Sequence, residues 1–156
     1  MRVRAHVEAL PRGGSHATRR ALAAAQDARA VVLVEGFSDQ IAIETLATVR
    51  GRELARDGVA VVPMGGAQAI GHFLARFAGL TLAGLCDAGE ENVFRRELER
   101  AGLGSDLERL GFYVCVEDLE DELIRALGVD RVEAVLDTEG DLDAFRTFQK
   151  QPAQRS

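Results

Sequence analysis

The chain has no tryptophan, one tyrosine, two cysteines and three prolines in 156 residues, and 18 of its 19 basic side chains are arginines. Each scarcity narrows the functions open to it. So few large aromatics leave few platforms on which nucleic-acid bases could stack. Cys86 and Cys115 each end an apolar run and belong to no Cys-x-x-Cys or Cys/His cluster, so they read as buried free thiols. The lone lysine, Lys150, lies in a polar tail. A phosphate-binding Walker-A loop needs Gly-Lys-Ser/Thr after a strand, and the same shortage argues against covalent nucleotidyl transfer through lysine. No apolar run approaches the roughly 18 to 20 residues of a membrane span, and Met1-Arg2-Val3-Arg4 lacks the apolar centre of a signal peptide. A cytoplasmic protein with no membrane partner is expected.

What is present fits one globular domain of ordinary size, 47% hydrophobic and 28% charged. The net charge of −6 is unevenly spread. Residues 1–30 carry six arginines against Glu8 and Asp27, a balance of +4, and the remainder carries 13 basic and 23 acidic residues, a balance of −10. That split permits a basic arm beside an acidic site. Three segments are expected: a basic arm and helix over 1–28, an α/β domain over 29–128, and a helical extension with a tail over 129–156.

In chain order, Pro11, Gly13 and Gly14 break the arm, and Ser15 is placed to cap an alanine-rich helix through Gln26. Ala30–Val34 reads as a buried strand running into Glu35-Gly36, with Ser38-Asp39 starting a helix to about Arg56. That helix would turn Ile41, Ala42, Thr45, Leu46 and Val49 inward. A second strand, Val59–Pro63, leads through Met64-Gly65-Gly66 into a helix burying Ile70, Phe73, Leu74 and Phe77. A third strand over 80–86 ends on Asp87, before a helix holding Val93, Phe94 and Leu98. A fourth, Phe112–Val116, ends on Glu117-Asp118, which opens a helix to about Leu127; residues 130–148 also read as helix. Uniformly apolar strands alternating with helices predict an α/β fold, a central parallel sheet of four strands with helices on both faces.

Ligands of open parallel sheets bind beyond the carboxyl ends of the strands. Three of the four predicted strands end there on acids: Glu35, Asp87, and Glu117 with Asp118. Crowded carboxylates raise one another's pKa unless a cation sits among them, and an all-oxygen set favours Mg²⁺ or Mn²⁺. Structural alternatives stand beside these roles. Asp39 suits the positive end of a helix dipole, Asp87 with Glu90 resembles a capping box, Asp118 with Asp121 could cap likewise, and Glu120 could be solvated. Gly65 and Gly66 could present N–H groups to a phosphate or simply make a tight turn. His72 reads as a partly buried or surface side chain.

Val34-Glu35-Gly36-Phe37-Ser38-Asp39 and Leu85-Cys86-Asp87-Ala88-Gly89 resemble the two acidic motifs of the Rossmann-like TOPRIM domain, and the late Asp118-Leu119-Glu120 looks most like the OLD-family nucleases. The resemblance implies that Glu35, Asp39, Asp87, Asp118 and Glu120 hold divalent metal, with Glu35 and Asp87 central to catalysis. It also implies a nuclease that cleaves phosphodiesters of nucleic acid, DNA ahead of RNA, with two ions about 4 Å apart on the attacking and leaving oxygens. Gly89 stands where the family has a second aspartate, leaving Glu90 or Glu91 as substitute ligands. The ATPase domain that precedes TOPRIM in that family is missing from the sequence, so a stand-alone nuclease or a separate ATPase partner chain is expected. The alternative is a non-catalytic module that binds metal or a partner in DNA repair, as in RecR-type relatives.

Overall fold

The computed structural model describes residues 16–149; the basic arm, the Ser15 cap and the tail after Gln149 lie outside them. Four strands, β1 (Ala30–Val34), β2 (Val59–Pro63), β3 (Thr81–Cys86) and β4 (Phe112–Val114), form one sheet in the order β2-β1-β3-β4. All pairings are parallel. The seven helices described are α1 (His16–Ala24), α2 (Phe37–Val49), α3 (Ile70–Arg76), α4 (Glu91–Arg100), α5 (Leu119–Leu127), α6 (Val129–Glu139) and α7 (Leu142–Gln149). The α/β class and the four parallel strands agree with the expectation from the apolar runs.

Right-handed crossovers settle which helix covers which face. The chain steps from β1 to β2 through α2, then returns across β1 to β3 through α3, so the two helices fall on opposite faces. The core is unequal between them. Val31 and Leu33 of β1 and Ala60 and Val62 of β2 join Ile70, Phe73 and Leu74 of α3, Phe94 and Leu98 of α4, and Ala21 and Leu22 of α1. Each such fully buried large side chain contributes about 1.5–3 kcal/mol. Phe94 meets Phe112 edge to face at 6.2 Å, and the Phe112 ring reaches its place because residue 84 is glycine: a Cβ there would stand 2.5 Å from the ring.

The α2 face is thin. Phe37–Val49 contains no buried residue, and Ile41, Leu46 and Val49, expected to point inward, are 48%, 54% and 79% exposed. The reason is in the helix itself: its apolar residues lie all round it, so spacing could not single out the covered side. The helix also starts two residues earlier and ends seven earlier than predicted, at a turn where Gly51 takes φ +69°. Gly36, in extended backbone, is its N-cap, which places Ser38 inside the first turn and corrects the expected start.

The chain divides into two compact units at Val116/Glu117. Thus α5 belongs with the helices that follow, where the sequence boundaries grouped it with the sheet. Within this second unit Gly140, at φ +82°, separates α6 from α7 in what read as one helix, and no described residue is buried. No helix among the described residues is long and apolar enough to cross a membrane.

Candidate metal centre

Glu35 is the first residue beyond the carboxyl end of β1, an interior strand, and both neighbouring strands hold it. On the β2 side the Met64 N–H donates to the Val34 carbonyl at 2.8 Å, and the N–H groups of Gly65 and Gly66 both donate to the Glu35 carbonyl at 3.0 Å. On the β3 side the Asp87 N–H donates to Glu35 Oε1 at 3.0 Å. The residue is therefore fixed by main-chain groups at its backbone and at its carboxylate. One oxygen, Oε2, lies outside that contact.

The next acid belongs to the same local turn. Asp39 Oδ2 accepts the Gly36 N–H at 2.7 Å, so the first turn of α2 folds back on the strand end. An acid near a helix N-terminus is favoured by the dipole, and this bond satisfies a donor the helix leaves open. Asp39 thus has the structural role available to it while Oδ1 stays outside the bond.

Burial pushes the Glu35 carboxyl above its ordinary value. The Asp87 N–H works against that rise, while the negative charges of Asp87, Glu90 and Asp39 add to it. Glu35, Asp39, Asp87 and Glu90 are all partly buried. Behind them the Cys86 thiol is pushed up to about 12, first by burial and then by the charge of Glu35. Cys86 and Cys115 are buried and in no disulfide, as their place at the ends of apolar runs suggested.

The structure separates the acids by what else occupies them. Asp87 precedes a 3-10 turn, Ala88–Glu90, without capping it through its side chain, so the capping-box alternative is not realised. Glu91 pairs with Arg95, which competes with a ligand role. Gly89 is exposed, with nothing within 4 Å of where a Cβ would stand. Asp118 and Glu120 open the second unit: Asp118 Oδ1 accepts the Asp121 N–H at 2.8 Å as the N-cap of α5, and Glu120 is exposed in its first turn.

One expectation changes and another holds. Gly65 and Gly66 direct their N–H groups to the Glu35 carbonyl, not to a phosphate, so the phosphate-binding role gives way to a structural one. His72 is exposed on α3 with its ring edge-on to Phe73 at 5.5 Å, which agrees with a surface histidine. The clasp on Glu35 was missed in the sequence, although Gly-Gly after the strand beside a Glu-Gly strand end was its signal.

The all-oxygen donor set, partly buried and mutually repelling, has the chemistry of a site for a hard divalent cation. Among the described residues no three acidic, histidine or cysteine side chains already stand together as a ready ligand group. Binding would therefore draw the carboxylates inward from the positions they hold here.

Residues 28–87, which include Glu35, Asp39 and Asp87, match the family described as Overcoming lysogenization defect protein-like, TOPRIM domain. Among solved structures the chain is similar to the C-terminal region of the Xanthomonas campestris pv. campestris OLD protein. There the identity is 22%, the alignment covers 81% of this chain and 74% of that one, and the TM-score is 0.61. The C-terminal region of the Burkholderia pseudomallei OLD protein is similar at 20% identity, with 83% and 76% covered and a TM-score of 0.60. At such identities the likeness is one of fold. Comparison with the curated proteins returns no match. The family match is thus to the segment that carries Glu35, Asp39 and Asp87, and the four-stranded parallel sheet around it has the fold of the OLD C-terminal regions.

Proposed function

We propose that this domain binds Mg²⁺ or Mn²⁺ at the carboxyl ends of β1 and β3 and serves phosphodiester cleavage in nucleic acid, DNA ahead of RNA. The observation that carries the proposal is Glu35. Its carboxylate is held by backbone from a neighbouring strand, and its pKa is raised first by burial and then by the charges of Asp87, Glu90 and Asp39. A structural acid is placed where its charge is welcome. This one sits where its charge is opposed, which supports the reading of a cation site.

Glu35, Asp39 and Asp87 are the ligands we assign, with Glu90 in the place left by Gly89; a metal role for Asp118 and Glu120 rests on sequence resemblance alone. Glu91, paired with Arg95, is the weaker substitute. When bound, a divalent ion would supply charge stabilisation to the phosphate oxygens in flight, singly or as a pair. The chain's own contribution is to fix Glu35 before any ion arrives, so that the rearrangement left for binding falls on the other carboxylates. Without a cation, burial and repulsion make Glu35 hold a proton more readily than an ordinary glutamate.

Labelled DNA and RNA incubated with the protein and Mn²⁺ test the enzymatic reading. Cleavage by wild type that disappears in Glu35→Gln is expected; no cleavage, or cleavage unchanged in the variant, contradicts it. A second reading, a metal- or partner-binding module without catalysis, is favoured by Gly89, which removes one carboxylate from an open position. Calorimetric Mn²⁺ binding without turnover, together with co-purification of an ATPase chain, would mark that reading.

A further inference from the structure

We propose that Gly65 and Gly66 are positioning residues for Glu35, acting through its backbone carbonyl. The inference rests on the reading of Glu35 as a cation ligand. Both N–H groups converge on one oxygen at 3.0 Å each, and this happens at the residue whose carboxylate receives the Asp87 N–H. The turn that makes this convergence has backbone that side chains resist: φ is +81° at Gly65 and +119° with ψ 151° at Gly66. The second combination is a region essentially reserved for glycine. Space is not the constraint, because a Cβ at either position meets nothing within 4 Å.

The consequence follows from how β1 ends. Beyond Val34 the strand register is finished, and the glycine turn extends the hold of β2 by one residue, onto Glu35 itself. If the turn changes shape, the carbonyl loses two donors and the Glu35 backbone can swing. The carboxylate then leaves the Asp87 N–H. Groups that orient a ligand without touching the ion commonly matter to affinity nearly as much as the ligands do.

The test compares Gly66→Ala, Gly65→Val and Gly65→Asn with Gly51→Val. Gly51 is a matched control, with φ +69° and nothing within 4 Å of its Cβ position, at the end of α2. Asparagine tolerates positive φ far better than valine and should preserve the turn. Two readouts are taken: hydrogen exchange at the Asp87 amide in metal-free protein, and Mn²⁺ affinity by calorimetry. Gly66→Ala and Gly65→Val should speed Asp87 exchange about tenfold, the scale of one lost hydrogen bond, and weaken Mn²⁺ binding about tenfold. Gly65→Asn and Gly51→Val should leave both within about twofold of wild type. If wild type binds no Mn²⁺, the cation reading fails, and Asp87 exchange alone decides the positioning role. Unchanged exchange in Gly66→Ala and Gly65→Val, or an equal change in Gly51→Val, overturns the proposal.

Discussion

Glu35 and Asp118 both read in the sequence as acids at a strand end, but β4 stops at Val114, not Val116, four residues short of Asp118, and the two acids are used in opposite ways. Asp118 gives an oxygen to the Asp121 N–H at 2.8 Å and caps α5, so its negative charge is welcomed by the helix it starts. Glu35 also accepts a backbone N–H, from Asp87 at 3.0 Å, but it caps nothing, is partly buried and is surrounded by charge of its own sign. The difference teaches that position at a strand end does not mark a ligand. The feature on which the proposed ligand role rests is a carboxylate whose charge is opposed by burial and by acidic neighbours, and whose backbone donor, the Asp87 N–H, makes it no helix cap.

Replacing each acid by its amide or by alanine sharpens that contrast. The largest effect is expected for Glu35→Gln, which should lower Mn²⁺ affinity roughly a hundredfold, about 2.7 kcal/mol, by calorimetry. Asp118→Ala should instead lower stability to urea by about 1 kcal/mol, with Asp118→Asn close to wild type because asparagine caps as well as aspartate. A Mn²⁺ affinity that fell as far in Asp118→Asn as in Glu35→Gln would break the comparison and make Asp118 a ligand of equal rank. Similar in size is a gain: Gly89→Asp restores the family's carboxylate in open space and should raise Mn²⁺ affinity about fivefold, about 1 kcal/mol.

The smallest effect is in pH dependence without metal. Glu35 has a folded pKa above its ordinary value of 4.5, so between those two values the folded chain binds more protons than the unfolded one. Stability from this group is therefore fully present below the ordinary value and is lost as pH rises through the raised one. Urea melts of wild type should show that decline, and Glu35→Gln should flatten it. Saturating Mn²⁺ should also remove it by stabilising the folded state at neutral pH.

Much of this was legible in the residues. Strands such as Ala30–Val34 and Val59–Pro63 announce themselves because both faces of a parallel sheet are covered and every position is apolar. The inward residues of α3 and α4 were legible because polar residues separate them cleanly at helical spacing. For α2 the same rule failed, since Phe37, Ile41, Ile43, Leu46 and Val49 surround the helix and no single stripe exists. Within the site, Glu35 and Asp87 were legible as strand ends. What holds them was not, because hydrogen bonds between main-chain groups leave little trace in side-chain identity. Glycine is the exception: Gly65-Gly66 reads as either a phosphate cradle or a tight turn, and neither reading names the Glu35 carbonyl as the acceptor. The break at Gly140 was missed for a simpler reason: polar residues on both sides of it continue a helical pattern.

The central claim is that a divalent cation binds at Glu35. Paramagnetic broadening of backbone amide resonances by substoichiometric Mn²⁺ tests it most directly, because the effect falls steeply with distance from the ion. Gly36, Asp39 and Asp87 should broaden first, and Glu35→Gln should abolish their loss. Broadening centred instead on Asp130, Glu133 and Asp137 of the second unit, or spread evenly over the exposed acids, would contradict it.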